Sequence, residues 1–246
     1  MPDLQLYRSQ YAFRGLSDAG YSLETSLLRL SRGSADLERH LLRNFRKYAH
    51  RNAVEHDSLW HWLSLAQHHG LPTRLLDWTF SPLVAMHFAT VNMHKFDTDG
   101  VIWAVNYVEA HKYLPEALRA ALCGEGSDVF TVEMISRVAR SLPEFDALSP
   151  ARFVLFFEPP SIDDRIVNQF ALFSVISDAK VALDDWLAER PHLYRRFIIP
   201  ADLKWEIRDK LDQANVNERV LFPGLDGLSS WMKRQYTPRC SPSPEG

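Results

Sequence analysis

The sequence predicts an α+β fold: a single domain with a mixed or split β-sheet surrounded by helices. Three observations predict it. Short β-rich runs and amphipathic stretches mix without the strict alternation that a doubly wound parallel sheet needs. No internal repeat divides the chain. Its 246 residues, 46% hydrophobic and 24% charged, suffice for one sizeable core and are ordinary for a globular protein.

Residues 4–15, LQLYRSQYAFRG, have strand composition and end in glycine. SLETSLLRL reads as a short helix or an irregular extended segment. Over residues 34–53 the side chains of Leu37, Leu41, Phe45 and Tyr48 recur at helical spacing, with Ser34 and Asp36 as caps. A second helix spans 57–69, with Asp57 or Ser58 as cap and Trp60 and Trp62 in the core. Gly70 and Pro72 end it. Residues 73–78 read as a buried strand. Thr79, Ser81 and Pro82 then start an apolar helix, since a hydroxyl cap followed by proline suits a first turn.

Asp99-Gly100 makes a turn before the strand VIWAVN. Residues 109–150 read as helical, with a loop at GEGSD. RFVLFFEPP is a strand stopped by two prolines. SIDDRIVNQFALFSVI passes from helix or turn into strand at Ala171, with Asp163-Asp164 as a capping or solvated turn. VALDDWLAER is a capped helix, RRFIIP a strand, and ADLKWEIRDKLDQANV a helix. Glu218–Phe222 reads as a final strand, followed by the turn PGLDG and the helix LSSWMKRQY. The domain is expected over residues 1–236, and the Pro- and Ser-rich tail 237–246 is expected to be disordered.

A net charge of −3 gives no indication of nucleic acid as partner. Two cysteines, Cys123 and Cys240, form neither a disulfide framework nor a CxxC metal motif. The first residues lack a secretory pattern, and no apolar run approaches the ~20 residues of a membrane span. The expectation is a cytoplasmic protein with no membrane partner.

The densest polar cluster is AQHHGLPTRLLDWT, residues 66–79. Asp77 lies between Leu76 and Trp78 on the predicted strand, and a bare buried carboxylate costs several kcal/mol. Arg74, three residues earlier, points to the opposite face. Partners for Asp77 are therefore sought in Arg14 or in the His68-His69 pair. Two readings stay open: Arg74, Asp77 and His69 form an internal brace, or some of them face a cleft at the start of the Ser81 helix. The free N–H groups of that helix start, with the hydroxyls of Thr79 and Ser81, suit an anion such as phosphate.

Four stretches together resemble the FRG domain family: Phe13-Arg14-Gly15, AQHHGLPTRLLDWT with SPLVAMHFA behind it, RIVNQFALFSV, and LFPGLDGL at 221–228. A more distant resemblance is to the ADP-ribosyltransferases. An arginine on the first strand, a Thr/Ser strand end leading into a helix, and a late glutamate before an apolar run follow that fold's order. The resemblance implies NAD or a related nucleotide as cofactor, with Arg14, Thr79, Ser81 and Gln169 binding it. Glu218 would be the catalytic carboxylate, stabilising positive charge on the ribose. His69, Arg74 and Asp77 would support the pocket, and the ADP-ribose would pass to a macromolecular acceptor or, in NAD hydrolysis, to water. This chain departs from that pattern in having Thr-Phe-Ser and Asn217-Glu218-Arg219 where the family has Ser-Thr-Ser and paired glutamates.

The alternatives are a non-enzymatic module recognising protein or nucleic acid, and, third, a nuclease or other hydrolase using the His and Asp cluster. The transferase reading requires Arg14, Ser81 and Glu218 to share one cleft. The module reading requires Glu218 to lie apart from Arg14, or the space between them to be filled.

Overall fold

Seven strands form one sheet in the order β4-β5-β6-β2-β1-β3-β7. They are β1 (Tyr11–Leu16), β2 (Leu75–Thr79), β3 (Gly100–Asn106), β4 (Phe130–Thr131), β5 (Val154–Glu158), β6 (Ala171–Ile176) and β7 (Tyr194–Ile199). The computed structural model describes residues 9–31, 35–49 and 57–237. Among the described residues only β4 and β5 pair in parallel, so the sheet is mixed, as expected.

The sheet is also split. β2 pairs with β6 over five residues and β1 with β3 over six, but β1 and β2 are in register only at Phe13 and Thr79. Beyond that pair the two central strands diverge.

Alternation along the strands sorts their side chains onto two faces. Leu75, Leu155, Phe157, Phe173 and Val175 point to one face and build a core with the Leu59–His68 helix. There Trp60 meets Phe145 and Phe157 edge-on, at 5.2 and 6.1 Å between ring centroids. Over the other half of the same face, Phe13, Ile102 and Ile199 pack against Ala85 and Ala89 of the Pro82–Thr90 helix. The opposite face carries one core across both halves, from Val154, Phe156 and Leu172 through Leu76 and Trp78 to Ala12, Trp103 and Val105. The split therefore opens on the face where two separate packing clusters stand side by side.

The helix boundaries follow local chemistry. The Ser58 hydroxyl accepts from the His61 N–H and caps the Leu59–His68 helix. Gly70, at φ +77°, closes it: Gly70 N–H donates to Gln67 O and Leu71 N–H to Ala66 O, the paired bonds of a Schellman ending. Ser81 caps the next helix, with Pro82 in its first turn.

Four expectations are corrected. Residues 109–150 hold the short strand β4, whose two residues leave no periodic trace. The helix beginning at Leu183 has no side-chain cap; Asp184 Oδ1 instead accepts from the Leu23 N–H. Gly100 belongs to β3. The expected final strand is a helix, Glu218–Leu221: the Asn217 side chain caps it through the Val220 N–H, and the run Val220–Phe222 is too short to impose strand alternation. Residues 4–8, 34, 50–53 and 238–246, named in the strand, helix and tail expectations, lie outside the described residues. Among the described residues no helix is long and apolar enough to cross a membrane.

Candidate functional site

The tripeptide Phe13-Arg14-Gly15 lies on β1 at the split, and each residue has a different task. Phe13 packs against the small core under the Pro82–Thr90 helix. Gly15 lets that helix approach: a Cβ here would stand 1.8 Å from the Ala85 carbonyl oxygen and 2.7 Å from the Ala89 nitrogen. Arg14 reaches across the gap. Its Nη1 donates to the Asp77 main-chain carbonyl at 2.5 Å and stands 3.9 Å from the Asp77 carboxylate. A side chain thus takes up a strand carbonyl that a regular ladder would have paired with backbone.

The divergence opens a cleft of about 670 Å³, within the ~300–1,000 Å³ typical of small-molecule and cofactor sites. β1 contributes Phe13, Arg14 and Gly15, and β2 contributes all five of its residues. Glu24, Ser26 and Arg29 form one wall. That segment is fixed by Thr73, whose carbonyl accepts from the Leu27 N–H and whose N–H donates to the Ser26 hydroxyl at 3.2 Å. Gln67–Leu71, at the glycine-terminated helix end, form the second wall, and Arg165, Ile166 and Gln169 the third.

Three guanidinium groups, Arg14, Arg29 and Arg165, face two lining carboxylates, Glu24 and Asp77. Among the described residues Arg14 makes one hydrogen bond, from a group with five N–H donors. Arg29 donates to the Glu24 carbonyl at 2.8 Å. Arg165 lies 4.8 Å over the Phe222 ring. Burial holds the Arg14 guanidinium below its ordinary pKa; Asp77 opposes this and the neighbouring charge of Arg29 reinforces it. Positive charge at the split is therefore incompletely matched by the protein.

The other lining polar groups are tied together. Asp77 accepts from the Gln67 amide at 2.9 Å, and Gln67 in turn accepts from the Thr73 hydroxyl at 2.5 Å. His68 Nε2 lies 2.6 Å from Asp163 Oδ2, and the His69 ring stands edge-on to it. Asp163 Oδ1 also caps the Asp164–Asn168 helix, which carries Arg165 into the cleft.

The residues expected to form a site divide between this cleft and elsewhere. Arg14, Thr79, Gln169, His69 and Asp77 line it. Thr79 and Gln169 have their side chains committed: the Thr79 hydroxyl donates to the Gln169 carbonyl at 2.7 Å, and the Gln169 amide donates to the Leu221 carbonyl at 2.9 Å. Ser81 stands outside the lining as a helix cap. The Asp77 side chain is 60% exposed rather than buried, because β2 has lost its β1 neighbour there.

Arg74 points away from the cleft. Fully buried, it donates from Nε to Glu38 at 2.7 Å and from Nη1 to Asp146 at 2.6 Å. The expected brace of Arg74, Asp77 and His69 is corrected accordingly. Burial pulls the Arg74 guanidinium down, and Glu38 and Asp146 overcome it and hold it above its ordinary value.

Glu218 is also elsewhere. Its carboxylate accepts from Arg208 at 2.8 Å and from both Nε and Nη2 of Arg234 at 2.9 Å. Burial pushes this carboxyl up; the Arg234 hydrogen bonds and the Arg208 charge overcome that and hold it below its usual range. Arg208 also donates to Nδ1 of the buried His87, which burial and the arginine lower to about 3. Glu218 is thus the centre of a buried clamp joining three C-terminal helices to the Pro82–Thr90 helix. Its own partners occupy it, so Arg14, Ser81 and Glu218 do not share one cleft. Sequence reasoning missed Arg29 as a lining group, and it missed that the lining residue His68 pairs with Asp163; Arg29 lay within the SLETSLLR stretch, but nothing local marked which way it would face.

The fold and the site define an α+β protein whose split sheet opens into an arginine-rich cleft. Residues 9–98 match the family model described as FRG domain, in line with the resemblance read from the sequence. The match takes in β1, the HHGLPTRLLDWT strand and the helix behind it, whereas RIVNQFALFSV and LFPGLDGL lie beyond its end. No curated protein and no solved structure matches the chain.

Proposed function

We propose that the cleft is the binding site of a phosphate-bearing nucleotide, with NAD the first candidate. One observation carries the reading: Arg14, Arg29 and Arg165 converge on a single cleft, and Arg14 spends one of its N–H donors on the protein. Guanidinium groups bind phosphate through paired, charge-assisted hydrogen bonds. The carboxylates of Glu24 and Asp77 suit ribose hydroxyls, and Phe13 and Phe88 offer apolar surface to a base.

Glu218 gives this reading no catalytic carboxylate, since Arg208 and Arg234 occupy it. That supports a binding site over a transferase acting through residue 218. Calorimetric titration with NAD, ADP-ribose and ATP tests the proposal. Binding of at least one is expected, weakened ~10–100-fold in Arg14→Ala, the scale of a lost charge-assisted bond. No binding by any of the three, or wild-type affinity in Arg14→Ala, refutes it. Nicotinamide release from NAD that Glu218→Gln abolishes, with the fold intact, would restore the transferase reading.

A further inference from the structure

The cleft holds a pair of groups that a purely binding site does not require. His68 is the last residue of the Leu59–His68 helix, and its side chain is 9% exposed at the cleft wall. Its Nε2 stands 2.6 Å from the Asp163 carboxylate, 95 residues away in the chain. A carboxylate at that nitrogen accepts its N–H. It thereby fixes the tautomer that leaves Nδ1 as the acceptor. The ring makes no second hydrogen bond among the described residues. Asp163 is itself held, because its other oxygen caps the helix that brings Arg165 to the same cleft. The base and one of the cations are therefore positioned by one residue.

We infer that His68, oriented by Asp163, is a general base that activates water for cleavage of a phosphoanhydride bond in the bound nucleotide. This rests on the nucleotide reading above. The arginines decide which bond is cleaved. Attack at phosphorus gathers negative charge on the phosphoryl oxygens, which guanidinium groups stabilise. Departure of a base from ribose develops positive charge on the sugar, which three guanidinium groups oppose. In the step, a water O–H bond breaks and its proton passes to His68 Nδ1. The water oxygen forms the new bond to phosphorus, and the bridging P–O bond breaks with its electron pair leaving on the departing phosphate. The imidazolium then returns the proton to that phosphate or to solvent. Asp163 is a positioning residue.

The test uses the full chain with ATP, NAD and ADP-ribose. Products are followed by phosphorus NMR, and affinity by calorimetry in parallel. Phosphoanhydride cleavage of at least one ligand is expected. His68→Gln, which keeps a donor for Asp163 but has no base, should lose ~10²–10⁴-fold in kcat while keeping its affinity. Added imidazole should restore part of the turnover of His68→Ala, which a merely structural role would not produce. Asp163→Asn, which keeps the helix cap, should lower kcat and leave KM. Binding without phosphoanhydride cleavage in the wild type overturns the inference and leaves the binding reading standing. Wild-type turnover in His68→Gln, or nicotinamide release in place of phosphoanhydride cleavage, overturns it too. Absence of binding by all three overturns both.

Discussion

Replacing Gly15 by alanine adds one methyl group at the tightest point of the fold. The new Cβ would stand 1.8 Å from Ala85 O and 2.8 Å from Ala85 C, whereas ordinary contact starts at 3.4 Å. Both atoms belong to helix backbone, so no rotamer change relieves the clash. The Pro82–Thr90 helix must retreat by about 1.5 Å, or β1 must bend. Retreat opens the packing of Ala85 and Ala89 on Ile102 and Ile199. Overpacking of this kind costs typically ~1–3 kcal/mol, and backbone on both sides puts this site at or above the upper end. For a chain of this length each kcal/mol lowers Tm by about 2–4 °C, so a fall of roughly 6–12 °C is expected. Circular dichroism melts, with urea unfolding alongside, read it directly. Gly124→Ala is the control: that glycine is helical with nothing within 4 Å of its added Cβ, so alanine should be neutral or stabilise by up to ~1 kcal/mol. A Gly15→Ala protein that melts with the wild type would refute the claim that helix proximity requires this glycine.

Two further perturbations probe the buried charges. Arg74→Met strands Glu38, which is 1% exposed, and should cost ~3–5 kcal/mol in urea unfolding; adding Glu38→Leu should recover most of that. His87, neutral in the fold with its pKa near 3, takes up a proton on unfolding at any pH between about 3 and 6.5. Its contribution is therefore fully present above about pH 6.5 and is lost as pH falls towards 3, with a limiting slope of ~1.4 kcal/mol per pH unit. His87→Leu should remove that part of the slope, measured as the difference between the two stability profiles.

What the sequence made legible was local. Ser58, Gly70, Ser81 and Pro82 set helix ends by their own chemistry, and each marks the boundary expected of it. The α+β sheet followed from strand-like runs that any neighbour would pair. The AQHHGLPTRLLDWT cluster was legible as a concentration of polar groups, but not in its wiring. Arg74 finds Glu38 and Asp146, 36 and 72 residues away, so local spacing could not suggest them. Asp77 was read as buried because its neighbours are apolar; its exposure comes from a strand pairing that fails, which alternation does not encode. Glu218 misled for a related reason. An apolar triplet reads equally as strand or helix, and its partners Arg208 and Arg234 lie on two other helices; the one that carries Arg234 approaches closely only because residue 227 is glycine, where a Cβ would stand 1.8 Å from Phe222 O.

The failed pairing is also what links the Phe13-Arg14-Gly15 tripeptide to the cleft. A six-residue β1 beside a five-residue β2 would ordinarily close into a continuous ladder, and no cleft would exist. Here Gly15 seats the Pro82–Thr90 helix tightly on β1. β2 is held from its other side, by full pairing with β6 and by Gln67, whose amide binds Asp77. The two strands are thus anchored to different neighbours, and the space between them stays open with a carbonyl to satisfy. Arg14 satisfies it with one N–H and retains the rest. An apolar residue at position 14 would leave the Asp77 carbonyl unpaired at the gap. A lysine would reach it with a point charge but without a planar fork able to hold protein and phosphate together. The structural requirement and the binding proposal therefore select the same side chain.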